Sequence, residues 1–257
     1  MGLIALGGAV PVRSAEMTAD LILHRYGEAR GDMRAWRKIQ TLIWEGHIES
    51  GDGPMANVPF IMEFKRPSMT RFELIVKNQR SVHIFDGERG WKVRNTGSGM
   101  PEVQDYSAEE LSFARDAFGM DGPLANYKAN GVAVALEGTD SVEGHSSYRM
   151  NVTLPSGAGH EVWIDAHTYL MLKYDRKVHT AGDAGTVSVY YRNYQTREGL
   201  TLPLIIETRN TGQTQSDKMV IDRIALNPRL DDAQFIKPTG SKHRGATPRV
   251  NQPASQR

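Results

Sequence analysis

The side chains that could break bonds are spread along this chain at spacings that do not form a reactive centre. Its eight histidines, His24, His47, His83, His145, His160, His167, His179 and His243, include no HExxH and no pair four apart on a helical stretch, the arrangement that presents two imidazoles to one zinc. Asp165 with His167, and His160 with Glu161, are near neighbours at a hairpin, where solvated polar residues are expected. Gly97-Ser98-Gly99 lacks the GxSxG frame of a nucleophile elbow. Gly51-Asp52-Gly53 runs into Pro54 and a strand, so it reads as a turn and not as a phosphate loop opening a helix. Asn151-Val152-Thr153 fits a glycosylation sequon but lies mid-strand. With no cysteine, disulfides, thiolate catalysis, thiolate metal sites and a thiol-linked lipid anchor are excluded. The chemistry that remains is binding: no enzyme activity, metal or cofactor is expected. The stretch that stands out is Lys65-Arg66-Pro67, in which Arg66 by itself reads as a solvated strand-end arginine, followed by the turn Asp86-Gly87-Glu88-Arg89-Gly90-Trp91.

The elements that position these motifs follow from hydrophobic period. Phe60, Met62 and Phe64 alternate with Ile61, Glu63 and Lys65, and Phe72, Leu74 and Val76 alternate with Arg71, Glu73 and Lys77, which is strand patterning with one apolar face. Pro67 has no N–H for a ladder and restricts Arg66 to extended geometry, so the first run ends there. Asp86-Gly87 predicts a hairpin with a longer or bulged turn. Twelve such runs are expected, at 42–49, 58–65, 71–76, 82–85, 91–94, 132–136, 148–154, 161–165, 169–177, 186–194, 202–209 and 218–224. Thr18 caps a helix carrying Leu23 and Tyr26 and ended by Gly31. A short helix is expected over Asp32 to Lys38, another from Ser107 with Leu111, Ala114 and Phe118 on one side, and a further turn at Pro123 to Tyr127. The fold class is mainly β: a meandering antiparallel sheet with short helices on one side.

These motifs, in this order, resemble the bacterial outer-membrane lipoprotein carrier and lipoprotein-sorting family, LolA-like. Its members carry a KRP triplet and a DGxxxW hairpin on consecutive strands. Trp163-Ile164-Asp165 with Thr168-Tyr169-Leu170, then Tyr194, Gly199, Leu200 and Pro203, and the closing segment Leu226-Asn227-Pro228 through Phe235 and Pro238 extend the likeness over roughly 18–238. The resemblance implies an unclosed antiparallel β-barrel of about 11–12 strands around an apolar cavity, with short helices as its lid. It implies that Arg66 latches the lid, that the lid comes from the segments of Leu23, Tyr26, Leu111 and Phe118, and that acyl chains lie in the cavity. Candidates for the lining are Phe60, Met62, Phe64, Phe72, Leu74, Val76, Trp91 and Met150. Moving an acyl chain of roughly sixteen carbons into water costs on the order of 12 kcal/mol, so such a carrier must replace apolar surroundings almost fully. Soft side chains suit that lining, and Met62, Met69, Met150, Met171 and Met219 are available.

Composition narrows the setting. The 257 residues are 39% apolar, enough to bury one core, and the formal charge of +1, from 31 basic against 30 acidic residues, gives no field that favours nucleic acid. No run approaches the roughly 20 apolar residues of a membrane helix. Residues 1–15, with Leu3, Ile4, Leu6, Ala9 and Val10 before Ala15, read as the remnant of a secretory signal peptide, which places the protein in the periplasm. Residues 16–238 form the carrier domain. Residues 239–257, with Lys242, Arg244, Arg249 and Arg257, no acid and little that is apolar, read as a disordered basic tail. The expected function is a periplasmic carrier that takes acylated lipoprotein or lipid from an inner-membrane donor to an outer-membrane acceptor. The alternative is a lipid- or lipoprotein-sensing module that signals to a protein partner.

Overall fold

The chain is described from a computed structural model, which covers residues 17–31, 33–50, 57–77, 79–94, 101–180, 183–212 and 215–239. The expected leader and, beyond Thr239, the expected basic tail lie outside the described residues.

Helix α1 (Ala19–Ala29) opens at Thr18, whose hydroxyl accepts from the Leu21 amide, and it buries Ile22, Leu23 and Tyr26 on one face. Helix α2 (Met33–Lys38) follows after one close approach. Gly31 has φ +114°, bridges to Leu200, and would place a Cβ 2.1 Å from the Gly199 carbonyl oxygen. Only glycine fits there. Five strands come next: β1 (Thr41–Ser50), β2 (Val58–Lys65), β3 (Met69–Val76), β4 (Gln79–Phe85) and β5 (Gly90–Arg94). A sixth, β6 (Glu102–Asp105), leads to helix α3 (Ala108–Asp116), which Ser107 and Glu110 start with a reciprocal capping box. The second half is all strand: β7 (Ala133–Val142), β8 (His145–Thr153), β9 (Gly159–Asp165), β10 (Met171–Thr180), β11 (Asp183–Arg197), β12 (Leu200–Asn210) and β13 (Ser216–Leu226). A closing strap contains one 3-10 turn, Asp232–Phe235.

The 13 strands form one antiparallel sheet in the order β6-β5-β4-β3-β2-β1-β13-β12-β11-β10-β9-β8-β7. Strands consecutive in sequence lie side by side except β6 and β7, and one pairing joins strands far apart in sequence. That pairing is the seam, where β1 meets β13 from Leu42↔Leu226 to Ser50↔Asp217 across a bulge at Glu45/Gly46. Strands β6 and β7 are the two edges of this order, so the sheet is not closed. The mainly β, unclosed sheet with three short helices is the expected class, with one strand more than the twelve expected. The extra strand is β6, Glu-Val-Gln-Asp, whose one apolar residue carries no period; Val103 opposite Val93 places it. The helical turn expected at Pro123 to Tyr127 is instead part of a run of turns from Ala117 to Gly131, in which Phe118, Gly119, Gly122, Asn126 and Gly131 have positive φ. Three glycines in fifteen residues break helical propagation there.

The sheet has a helix face and a strap face. On the helix face, Ile22, Leu23 and Tyr26 of α1 pack with Leu124, Met150, Val152, Val162, Ile164 and Met171. Beside them, Trp36 of α2 packs with Ile39, Leu42, Phe64, Met120, Leu200 and Leu202. On the strap face, Leu230 and the fully buried Phe235 cover Ile43, next to Ile61 and Met69. Burying a side chain of this size contributes about 1.5–3 kcal/mol relative to leaving it exposed.

The strap face also buries charge. Glu63, opposite Ile43 in register, is fully buried, and Arg71 donates both to it, at 3.0 Å, and to Glu73. Burial, against the attraction of Arg71, pushes the Glu63 carboxyl above the ordinary carboxylate range. Glu207 has the opposite balance. Burial raises it, but hydrogen bonds from Arg209, Ser216 and Arg192 outweigh that and hold it down at about 2.

Candidate functional site: a clamped helix face

The Lys65-Arg66-Pro67 triplet ends β2 as its chemistry requires, and its two cations reach to opposite faces. Lys65 donates to the Leu230 carbonyl at 3.0 Å and pairs with Asp232, which pins the strap. Arg66 turns to the helices. Its Nε donates to the Ile39 carbonyl at 2.7 Å, Nη2 to the Trp36 carbonyl at 3.1 Å and to Asp121 Oδ1 at 2.7 Å, and Nη1 to Asp121 Oδ2. A planar fork meeting both oxygens of one carboxylate is the strongest side-chain pairing available to arginine. Arg30, at the end of α1, completes the cluster. Its guanidinium lies 4.5 Å from the Trp36 ring and 5.5 Å from that of Tyr26, and it donates to the Asp121 main-chain oxygen at 2.7 Å. Two arginines from different elements therefore converge on one aspartate. They tie α1, α2 and the 117–131 turns to the end of β2. The turns come close enough to do this because Gly119, φ +55°, would bring a Cβ to 3.2 Å from Ser68 Cα.

Helix α3 is held differently. None of its residues is buried, and Phe113 is 52% exposed. Polar clips fix it: Glu110 to Lys92 at 2.8 Å and Arg115 to the Glu88 carbonyl at 2.9 Å on the β5 side, and Asp116 to Ser156 in the turn between β8 and β9. Thus α3 reaches from one end of the sheet order to the other.

Under these elements the helix face is apolar and only half covered. Met62 stands opposite Phe72 and Trp44, and Phe60 opposite Leu74, with Val76 next along β3. The adjoining row, which starts at the buried Val58, crosses the seam through Ile48, Met219, Ile206 and Tyr191. Phe60 and Phe64 are buried, whereas Met62, Phe72, Leu74, Val76, Ile48, Met219 and Ile206 are half-buried. These side chains form an apolar floor that keeps part of its surface accessible. Six of the eight expected lining residues thus share one stretch of one face. Met150 belongs to the same side but is fully buried beneath α1.

Trp91 is the correction. Register places it opposite Ile84, itself opposite Arg71, hence on the strap face in a cluster with Val82, Ile84 and Val93. The turn explains the displacement: Asp86 Oδ1 accepts from the Glu88 and Arg89 amides, so the loop closes with Phe85 opposite Gly90 and Trp91 falls to the other parity. Met69 likewise packs under the strap. Of the expected lid residues, Leu23 and Tyr26 are buried in the α1 cluster, Phe118 packs at its margin, and Leu111 is half-buried. Asp121 and Arg30 were not among the expected residues.

Two hollows of about 320 Å³ each lie at the rim. One is lined by Pro67, Ser68, Phe85, Arg115, Phe118 and Asp121, the other by Arg89, Trp91, Tyr106, Leu111 and Lys237. Among the described residues no three His, Asp or Glu side chains converge as metal ligands, and no helix is long and apolar enough to cross a membrane. Asp165 caps its own turn, accepting from the amides of His167 and Thr168 at 2.8 and 2.7 Å, so that pair is local structure.

No family model matches the chain, and no curated protein matches it in sequence. Solved structures do match. A LolA superfamily protein from Nitrosomonas europaea covers 86% of this chain and 99% of its own, with TM-score 0.56 at 14% identity. A domain named for outer membrane lipoprotein sorting, from Vibrio parahaemolyticus, covers 83% and 94%, with TM-score 0.58 at 12% identity. A DUF1329 family protein from Desulfovibrio piger covers 84% and 97%, with TM-score 0.55 at 15% identity. At these identities the likeness is one of fold, and the fold of this chain is that of the LolA superfamily proteins.

Proposed function

We propose that this protein is a periplasmic carrier that holds acyl chains of lipoproteins or lipids against the helix face and hands them toward the outer membrane. The observation that carries the reading is the set of partly exposed apolar residues from Phe72 to Ile206 on the face to which a polar clamp ties the helices. A packed core would bury such residues fully, because apolar surface left half-exposed forgoes stabilisation of about 25 cal/mol per Å². An acyl chain supplies the missing cover. The clamp at Asp121 is the latch: when it opens, α2 and the 117–131 turns lift from the floor and the chain enters, and when it closes they cover the cargo. A domain of the same fold that is named for outer membrane lipoprotein sorting supports the same reading.

Native mass spectrometry of the protein purified from its own periplasm tests it. A co-purifying acylated species is the expected result. Protein that carries none, and that fails to bind a hydrophobic dye displaceable by lysophospholipid or acylated peptide, would overturn it.

A further inference from the structure

One part of the helix face is charged where the rest is apolar. Arg176 of β10 stands directly opposite His160 of β9, with Tyr174 two residues along on the same face. The His160 ring stacks on Tyr174 with centroids 5.4 Å apart and planes 19° apart. The Arg176 guanidinium lies 5.1 Å from the centroid of Phe113, the exposed aromatic of α3. An aromatic ring thus orients the guanidinium, yet among the described residues no carboxylate lies within ion-pair distance of it. The nearby acids are engaged elsewhere: Asp116 accepts from Ser156, and Asp175, on the opposite face, pairs with Lys173 at 2.9 Å. Arg192 and Arg209 of the same sheet show the contrast, since both are saturated by Glu143 and Glu207. Burial, then the neighbouring Arg176 charge, lowers the His160 pKa against the opposing pull of Asp116.

This cation borders the floor. Tyr174 lies opposite Val189, and Tyr191, two residues on, opposite Ile206 and through it Met219. An amphiphile with its hydrocarbon on Ile206 and Met219 has its polar end within this corner. We propose that Arg176, with His160 and Tyr174, binds the anionic head of an amphiphile, a carboxylate or a phosphate, and so makes the carrier selective for acidic cargo. The inference rests on the reading of the helix face as an acyl-binding surface. The planar guanidinium fork fits both anions, and a site flanked by apolar walls strengthens the pairing relative to water.

The test is displacement of a hydrophobic dye by three ligands with the same twelve-carbon chain: dodecanoate, dodecyl phosphate and the neutral 1-dodecanoylglycerol. The wild type should bind an anion about tenfold or more tighter than the neutral ligand, as loss of a charged hydrogen bond implies. Arg176→Gln should abolish that preference while binding 1-dodecanoylglycerol as before, and Arg176→Lys should keep part of it. The tighter of the two anions identifies the head. Equal binding of all three by the wild type, or an anion preference that survives in Arg176→Gln, would overturn this inference and leave the carrier reading standing. Binding of none would overturn both.

Discussion

Arg66 and Asp121, 55 residues apart in sequence, meet in a two-pronged ion pair at the end of β2. Its surroundings make it more than a surface contact, because Arg66 also satisfies the carbonyls of Trp36 and Ile39, and Arg30 holds the same aspartate by its backbone. Arg66→Leu and Asp121→Asn should leave the sheet intact, since neither residue is in a packed cluster. Each should shift the open–closed balance of the helices by about 1.5–3 kcal/mol, the worth of a charged hydrogen bond. The measurements are hydrogen exchange over α2 and residues 117–131, and lipid transfer between vesicles. A double-mutant cycle should show strong coupling, and transfer by either variant equal to the parent's would leave the clamp a static fixture.

Trp91 and Phe72 make a paired test of the two faces. Trp91→Ala removes a buried ring from the strap face and should cost roughly 3–5 kcal/mol in stability without changing affinity for a hydrophobic ligand. Phe72→Ala, at a half-buried place on the floor, should cost less stability and weaken that affinity. Reversed outcomes would mean that cargo uses the strap face.

Acid stability should be governed by Glu207 and Glu63 with opposite signs. The Glu207 pKa, about 2 in the folded protein against 4.5 as the ordinary value, is depressed. Its stabilisation is therefore present above pH 4.5 and disappears as pH falls toward 2. Glu207→Gln should flatten that loss and lower the melting temperature at pH 7. The raised pKa of Glu63 works the other way: its favourable contribution is present below 4.5 and disappears as pH rises through the folded value. Glu63→Gln should consequently be tolerated at pH 7 far better than Glu207→Gln, with Arg71 still paired to Glu73. Thermal melts of the three proteins from pH 2 to 8 check both signs.

Gly31→Ala tests the joint between α1 and α2. Both the positive φ and the overlap with the Gly199 carbonyl oppose a Cβ, so the variant should lose more than about 1 kcal/mol. Its loss should appear first as faster hydrogen exchange in α1 and α2.

The strands were legible because each side chain of a strand chooses a face, and Phe60, Met62 and Phe64 against Glu63 and Lys65 show that choice in sequence. Strand β6 was not, since one valine among polar residues has no period. The end of β2 followed from the missing N–H of Pro67, and Arg66 was singled out by the resemblance of its triplet to that of the lipoprotein carriers. Its partners were hidden. Asp121 sits in a turn segment with no local pattern, and only the folded path brings it and Arg30 to the same point from 91 residues apart. The face of Trp91 was hidden for a different reason: parity across a hairpin depends on how the loop closes, which Asp86 decides through two hydrogen bonds to amides. Arg176 and His160 are 16 residues apart on neighbouring strands, and they become a pair only through register.

The sheet order that ends at β6 and β7 leaves the girth of the molecule unfixed. A barrel whose last strand is bonded to its first has a circumference set by strand count and stagger, and widening it would break a full ladder of hydrogen bonds. Here the two margins are spanned by α3, which buries none of its residues and is tethered by a few polar clips. Spreading the margins costs those clips, the Phe113–Arg176 contact and part of the packing of the 117–131 turns, while each strand keeps its partners. On the proposed carrier reading, the same backbone would wrap cargo of different thickness, as a split ring grips rods that a solid ring would refuse.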